Sequence, residues 1–184
     1  MTEFRVVDST TRCAASFLSL DELTVAGPDG ETFTRTVVRH PGAVVMAPVE
    51  DGQVLMVRQW RVAVGRALLE LPAGKRDVAG EPPEATAARE LEEEVGRRPG
   101  RLTLLAEFYN SPGFCDEHSH LFCATDLERL PERRAVSVEE HAMTIEPVAL
   151  DAVPDLIARR ELVDAKSIIG LLLTREHLEG RGGA

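Results

Sequence analysis

The chain has 184 residues, with 31 acidic side chains against 21 Lys and Arg, for a formal charge of −10. That length suits one domain with room for a small appendage, and folding removes roughly 70% of the extended chain's surface from water, so no covalent staple is required. So acidic a chain is a poor general partner for nucleic acid or anionic membrane, because phosphates attract clustered Lys and Arg; a small anionic ligand needs a local positive charge, for which a divalent metal is the obvious source.

Hydrophobic residues make up 43%, charged residues 28% and aromatics only 4%, a globular balance that leaves the core to Val, Leu, Ile and Ala. Up to about residue 40, short apolar stretches alternate with turn signals such as Gly27-Pro-Asp-Gly30, and residues 32–38 have strand chemistry. Gly42 opens a near-continuous apolar run over 43–49. Asp51-Gly52 then predicts a tight hairpin into a returning strand over 54–60. A short strand over 67–71 is stopped by Pro72 and Gly74. Pro82 and Pro83 can open a helix but cannot sit inside one. Good helix formers follow over 84–95, with Glu84 at the positive end of the dipole and Gly96 as the stop. Strands are predicted over 102–109 and 120–124 around the loop 110–117, and another over 142–150. Two helices close the chain, 151–160 and 164 to about 177, before a flexible tail over 179–184. Strands and helices that do not strictly alternate argue for an α+β architecture rather than a doubly wound sheet.

Cys13, Cys115 and Cys123 are too few and too irregularly spaced for a disulfide framework or a zinc site. The N-terminus lacks the layout of a signal peptide, and no apolar run reaches the length of a membrane span. A cytoplasmic location is the expectation.

The strongest signal is Arg89-Glu-Leu-Glu-Glu-Glu-Val-Gly96. Residues three and four apart share a helix face. Glu90, Glu93 and Glu94 therefore cluster on one side, Ala87, Leu91 and Val95 form an apolar stripe, and Glu92 is left in water. A solvated acidic face would explain the charges alone. The apolar stripe argues against it, because the helix must be packed with its glutamates close to whatever it packs on. The preceding loop Leu71-Pro-Ala-Gly-Lys75 also offers carbonyls to a metal shell. Clustered hard oxygens suit Mg²⁺ or Mn²⁺, and Mg²⁺ usually brings substrate phosphates with it.

Gly74, Glu81 and residues 89–96 together resemble the Nudix box of the Nudix hydrolases, G-x5-E-x7-R-E-U-x-E-E-x-G-U, where U is aliphatic. Seven residues separate Glu81 from Arg89, as in that pattern; six rather than five separate Gly74 from Glu81, and Arg97 stands at the last aliphatic position. Neither departure removes a charged residue. Residues 38–44, Arg58-Gln-Trp-Arg61, Glu70-Leu-Pro-Ala-Gly74 and Pro112, about sixteen residues beyond the box, resemble the ADP-ribose pyrophosphatase branch.

The resemblance implies an α/β/α sandwich around a mixed sheet over residues 41–178, preceded by a small N-terminal β segment over 1–40. Such a segment often forms a sheet exchanged between subunits, so a homodimer is expected. It implies Mg²⁺-dependent hydrolysis of a nucleoside diphosphate linked to another moiety. Glu90 and Glu94 would be the main metal ligands, with Glu93 close by and the Ala73 carbonyl as a further ligand. Arg89 would pair with Glu81 or Glu93 and orient the helix. The general base would be Glu140, ahead of Glu139 and the outlying Glu117. Arg61 is placed evenly between binding the diphosphate and a salt bridge to Glu70, and Pro112 and Gly113 would bind substrate. Trp60 and Phe114 offer rings for stacking on adenine, although Trp60, beside an apolar strand, reads as packing. Competing readings are a pyrophosphatase for another nucleotide sugar such as GDP-mannose, a non-catalytic ADP-ribose-binding module, and a plain structural domain.

Overall fold

The chain is described by a computed structural model over residues 3–135 and 137–181. It divides into two compact units, residues 1–42 with 108–119, and residues 43–107 with 120–184.

The first unit is built on β1 (Arg5–Ala15), β2 (Leu18–Ala26) and β3 (Thr32–Arg39), an antiparallel sheet in the order β1-β2-β3. The β character expected for the N-terminal segment is thus resolved into three strands. Loop 110–117 is fastened to the end of β3. The Val38 amide donates to the Phe114 carbonyl at 2.8 Å, and the Asp116 carboxylate accepts from the His40 amide at 2.8 Å and from Arg39 at 3.0 Å.

The second unit holds β4 (Ala43–Glu50), β5 (Gln53–Arg61), β6 (Arg66–Glu70), β7 (Ala73–Lys75), α1 (Pro83–Glu94), most of β8 (Arg97–Tyr109) and β9 (His118–Arg129), then α2 (Val138–Ala142), β10 (Thr144–Ala149), α3 (Val153–Ala158) and α4 (Ala165–Arg181). The sheet runs β10-β5-β4-β9-β8, with β6 paired to β5 and β7 to β4. Asp51 and Gly52 both have positive φ, 51° and 77°, and join Glu50 directly to Gln53, so the expected two-residue hairpin is present.

Strand alternation sorts the core onto two faces of the sheet. Val44, Met46, Leu55, Phe122 and Ala124 meet Ala87 and Leu91 of α1 and Val95 at its C-cap. Leu71 and Leu121 meet α4 at Gly170, where a Cβ would collide with Leu71. The α+β sandwich expected from the sequence is the fold observed, and Phe122 is the single aromatic residue fully buried among those described.

Several boundaries differ from the sequence reading. β8 begins at Arg97 rather than residue 102, because Gly100 lets it run hard against β9 at Asp126; a Cβ there would stand 2.7 Å from the Asp126 carbonyl oxygen. The strand expected over 142–150 is present as β10 over Thr144–Ala149, and a short helix that was not expected, α2, precedes it. The helix expected over 151–160 is shorter: a 3₁₀ turn at Leu150–Ala152 leads into α3, with Pro154 in its first turn. The closing helix does not stop near residue 177. It continues to Arg181, supported by the Arg175–Glu179 pair at 3.7 Å, which corrects the tail reading for residues 179–181; residues 182–184 lie outside the described set.

Candidate metal and catalytic site

The site begins with how α1 is fixed. Pro82 caps it, Pro83 takes a first-turn position, and Gly96 at φ 63° makes the left-handed exit that a side chain would resist. Burial of Ala87, Leu91 and Val95 sets the rotation of the helix about its axis. That rotation turns Glu90 and Glu94 toward the segment 71–75. There the Ala73 amide donates to Glu94 Oε2 at 3.1 Å, and a Cβ on Gly74 would fall on the Glu90 side chain. Glycine at 74 therefore makes room for a carboxylate.

The segment 71–73 is itself pinned. The Leu71 amide donates to Ser167 Oγ at 2.7 Å, and the Pro72 carbonyl accepts from the Met46 amide at 2.9 Å. Ser167 Oγ in turn donates to Asp164 at 2.6 Å, at the start of α4. Glu81, the isolated acid of the box, accepts from buried Thr86 at 2.8 Å and from Arg89 at 3.4 Å, tying the preceding loop to the helix.

Negative charge is poorly compensated here. Arg89 faces three carboxylates at once, Glu90 at 2.9 Å, Glu93 at 3.3 Å and Glu81 at 3.4 Å. Arg61 lies close enough for Glu94 to feel its charge, but it is held by Glu70 through two bonds of 2.7 and 2.6 Å. Burial pushes the Glu94 carboxyl up to about 8, with Glu90 and Glu140 adding repulsion against the Ala73 amide and Arg61. Burial likewise raises Glu90 to about 7, and Glu93 and Glu140 add to it against the pull of Arg89. Two carboxylates so placed, with a third close by and a glycine cradle beside them, fit a hard divalent cation, whose charge would supply what the protein withholds.

The predicted residues fall as follows. Ala73, Glu90, Glu93 and Glu94 come together around α1 and β7. Glu140, in α2, brings its charge to bear on Glu90 and Glu94, whereas Glu139 beside it is exposed. Arg89 bonds to both of its expected partners and to Glu90 as well. Arg61 makes the salt bridge to Glu70, which is not a surface pair, since Glu70 is 1% exposed. Pro112, Gly113, Phe114 and Glu117 belong to the first unit, where Pro112, Gly113 and Phe114 line an open pocket of about 170 Å³ with Val37, Tyr109, Cys115 and Asp116.

Two readings are corrected. Trp60 is not packed: it is 59% exposed, because period-two alternation on β5 puts Gln59, not Trp60, inside. Glu92 is not left in water, since Arg98 at 2.7 Å and Arg134 at 3.2 Å hold it. Arg97, the departure at the end of the box, closes on Glu50 with bonds of 2.7 and 2.8 Å, so a salt bridge replaces the aliphatic contact. Sequence reasoning missed Gly74 as a cradle, the Ser167 pin and Arg133; the first had a signal in its place at the head of the box, the others depend on residues distant in sequence.

A model of the NUDIX domain matches residues 38–168. The chain is 44% identical over 141 residues to an ADP-ribose pyrophosphatase of Bacillus subtilis (strain 168), covering 76% of this chain and 75% of that protein. It is 39% identical over 171 residues to an ADP-ribose pyrophosphatase of Mycobacterium tuberculosis (strain ATCC 25618 / H37Rv), covering 92% and 82%. Among solved structures, that of an ADP compounds hydrolase superposes with a TM-score of 0.86 over 99% of this chain and 97% of that one, at 22% identity, a likeness of fold.

Proposed function

The chain belongs to the NUDIX domain family, and from that premise we propose that it hydrolyses the diphosphate bridge of ADP-ribose, or of a close ADP-sugar, to AMP and ribose 5-phosphate with Mg²⁺ or Mn²⁺. The observation that carries the reading is Glu94: a buried carboxylate facing Glu90, with the Ala73 amide as its hydrogen-bond donor among the described residues. Nudix hydrolases generally use a divalent metal, and Glu90, Glu94 and the Ala73 carbonyl would hold it here. Such an ion, when bound, screens the diphosphate, polarises a phosphoryl oxygen and lowers the pKa of water.

The chain's own groups do the rest. Glu140 takes the proton of the attacking water once substrate brings that water within hydrogen-bond reach. Glu93 adds a carboxylate beside Glu90 and helps to hold Arg89. Arg61 keeps one edge of its guanidinium for a phosphate oxygen while Glu70 fixes the other edge. Pro112 and Gly113 shape the substrate loop. Bond cleavage consumes one water, whose oxygen enters one of the two phosphate products.

The test is product analysis by phosphorus NMR in ¹⁸O-water, with ADP-ribose, GDP-mannose and NADH as parallel substrates. AMP and ribose 5-phosphate as the main products, with ADP-ribose the fastest of the three, support the reading. Faster turnover of GDP-mannose would move it to another nucleotide sugar.

A cradle that only glycine leaves open makes a second test. Gly74→Ala is expected to push the Glu90 carboxylate aside, weakening Mg²⁺ binding by about 10–100-fold in calorimetry, on the scale of a lost supporting group. Far-UV circular dichroism should stay native.

On this reading residues 1–40 form a β segment exchanged between subunits, 41–178 the catalytic domain, and the assembly is a homodimer. Light scattering should then give twice 20.1 kDa; a clean monomer would overturn the assembly. A reducing cytoplasm is consistent with Cys13, Cys115 and Cys123 all being free thiols. The acidic balance supports a small-molecule partner rather than nucleic acid, and no helix among the described residues is long and apolar enough to cross a membrane.

A further inference from the structure

We propose that Arg133 is the positioning residue for Glu140, an inference that rests on the reading of Glu140 as the general base. Its guanidinium gathers three backbone carbonyls from two elements. Nη1 donates to the Glu94 carbonyl at 3.2 Å and to the Met143 carbonyl at 3.3 Å, and Nη2 donates to the Glu140 carbonyl at 2.6 Å. The first acceptor belongs to the last turn of α1, where helix carbonyls have no partner within the helix. The other two lie at the end of α2. One planar fork thus couples the backbone of a candidate metal ligand to the backbone of the candidate base.

The coupling matters because α2 cannot place itself. Five residues are far too few for a helix to persist alone. It lies against β5 and runs into β10, and within the turn Ser137 Oγ accepts from the Glu140 amide at 3.1 Å and donates to Glu140 Oε1 at 2.8 Å. That capping arrangement orders the turn internally but says nothing of where the turn sits. The segment that delivers Arg133 is moored to the end of α1. The Leu130 amide donates to the Gly96 carbonyl at 3.0 Å, and Arg134 holds Glu92 through its side chain at 3.2 Å. With both terminal nitrogens committed to backbone carbonyls, Arg133 acts by setting the distance from Glu140 to Glu94. A lysine at 133 keeps the charge but cannot reproduce the fork.

The experiment measures kcat and KM for ADP-ribose, and Mg²⁺ affinity by calorimetry, in wild type, Arg133→Lys, Arg133→Ala, Glu140→Gln and the double variant Arg133→Ala/Glu140→Gln. In Arg133→Ala, kcat should fall about 10- to 100-fold, the scale of a base displaced by an ångström, with KM and Mg²⁺ affinity nearly unchanged. Arg133→Lys should recover part of the loss. The double variant should be no slower than Glu140→Gln alone, because a positioning residue has nothing left to position. A wild-type kcat in Arg133→Ala beside an inactive Glu140→Gln overturns the proposal. So does a double variant slowed by the full product of the two single losses, since a merely structural arginine would give that. Wild-type turnover in Glu140→Gln overturns the base reading itself, and the proposal with it. If Arg133→Ala does not fold, Arg133→Lys combined with Glu140→Gln carries the same comparison.

Discussion

Glu94→Gln is expected to lose metal-dependent turnover of ADP-ribose by more than about 100-fold, exceeding the cost of removing an outer partner of a metal ligand. Yet the metal-free protein should melt at the same temperature or higher. The two halves have one cause. Glu94 is 5% exposed, and burial drives its carboxyl up to about 8; Glu90 and Glu140 push the same way, while the Ala73 amide and Arg61 pull against them. Glutamine has nearly the same shape, and its carbonyl can still accept from the Ala73 amide. What disappears is a carboxyl that the apo fold keeps protonated up to about pH 8, because its burial opposes the charge, and whose ionised form a cation would require. Steady-state kinetics and thermal denaturation on one preparation check both halves. Wild-type turnover in this variant would remove Glu94 from the metal set; a collapse in melting temperature would make it a structural residue.

The second large effect is on pH. Glu90 and Glu94 have folded values of about 7 and about 8, both above the ordinary value of 4.5 that they regain on unfolding. Between those limits the native state binds more protons than the unfolded state, so stability falls as pH rises. The contribution is fully present below about pH 4.5 and is lost as pH climbs through 7 to 8. As a coupled pair, the two should cost the metal-free protein on the order of a few kcal/mol between pH 5 and pH 8. Carboxylates held low by partners, such as Glu50 beside Arg97 and Glu146 beside Arg58, change stability only at lower pH, so they do not mask the window. A divalent cation displaces those protons. Mg²⁺ should therefore raise the melting temperature much more at pH 8 than at pH 6, as differential scanning calorimetry would read. An equal shift at both pH values would separate the glutamates from metal binding.

Much of the site is visible in the chain because it is written at helical spacing. Glu90 and Glu94 are one turn apart, and the stripe of Ala87, Leu91 and Val95 says which way the helix is turned. The Asp51-Gly52 hairpin is equally local, since positive φ at both positions leaves the chain little choice. What stays hidden depends on register or close approach. The start of β8 at Arg97 is one case: Gly100 is there because Asp126 of the neighbouring strand presses on it. The Arg61–Glu70 bond is one of two roles the sequence leaves open for Arg61, and its burial comes only with the β5–β6 register, in which Arg61 faces Arg66 and Glu70 faces Val57. The short helix around Glu140 did have a signal, Ser137-x-x-Glu140 in the form of a capping box, masked by the alternating residues that follow. Arg133 had none, because what it binds is backbone.

The exposed ring of Trp60 makes the protein easy to watch. It is the single tryptophan of the chain and lies at 59% exposure on β5, one residue before Arg61. Its fluorescence in the free protein should be long in wavelength and readily quenched by acrylamide, and it should change little when the aliphatic interior melts. The emission spectrum is thus a poor thermometer for folding. Any blue shift would report the covering of that one strand, without a label.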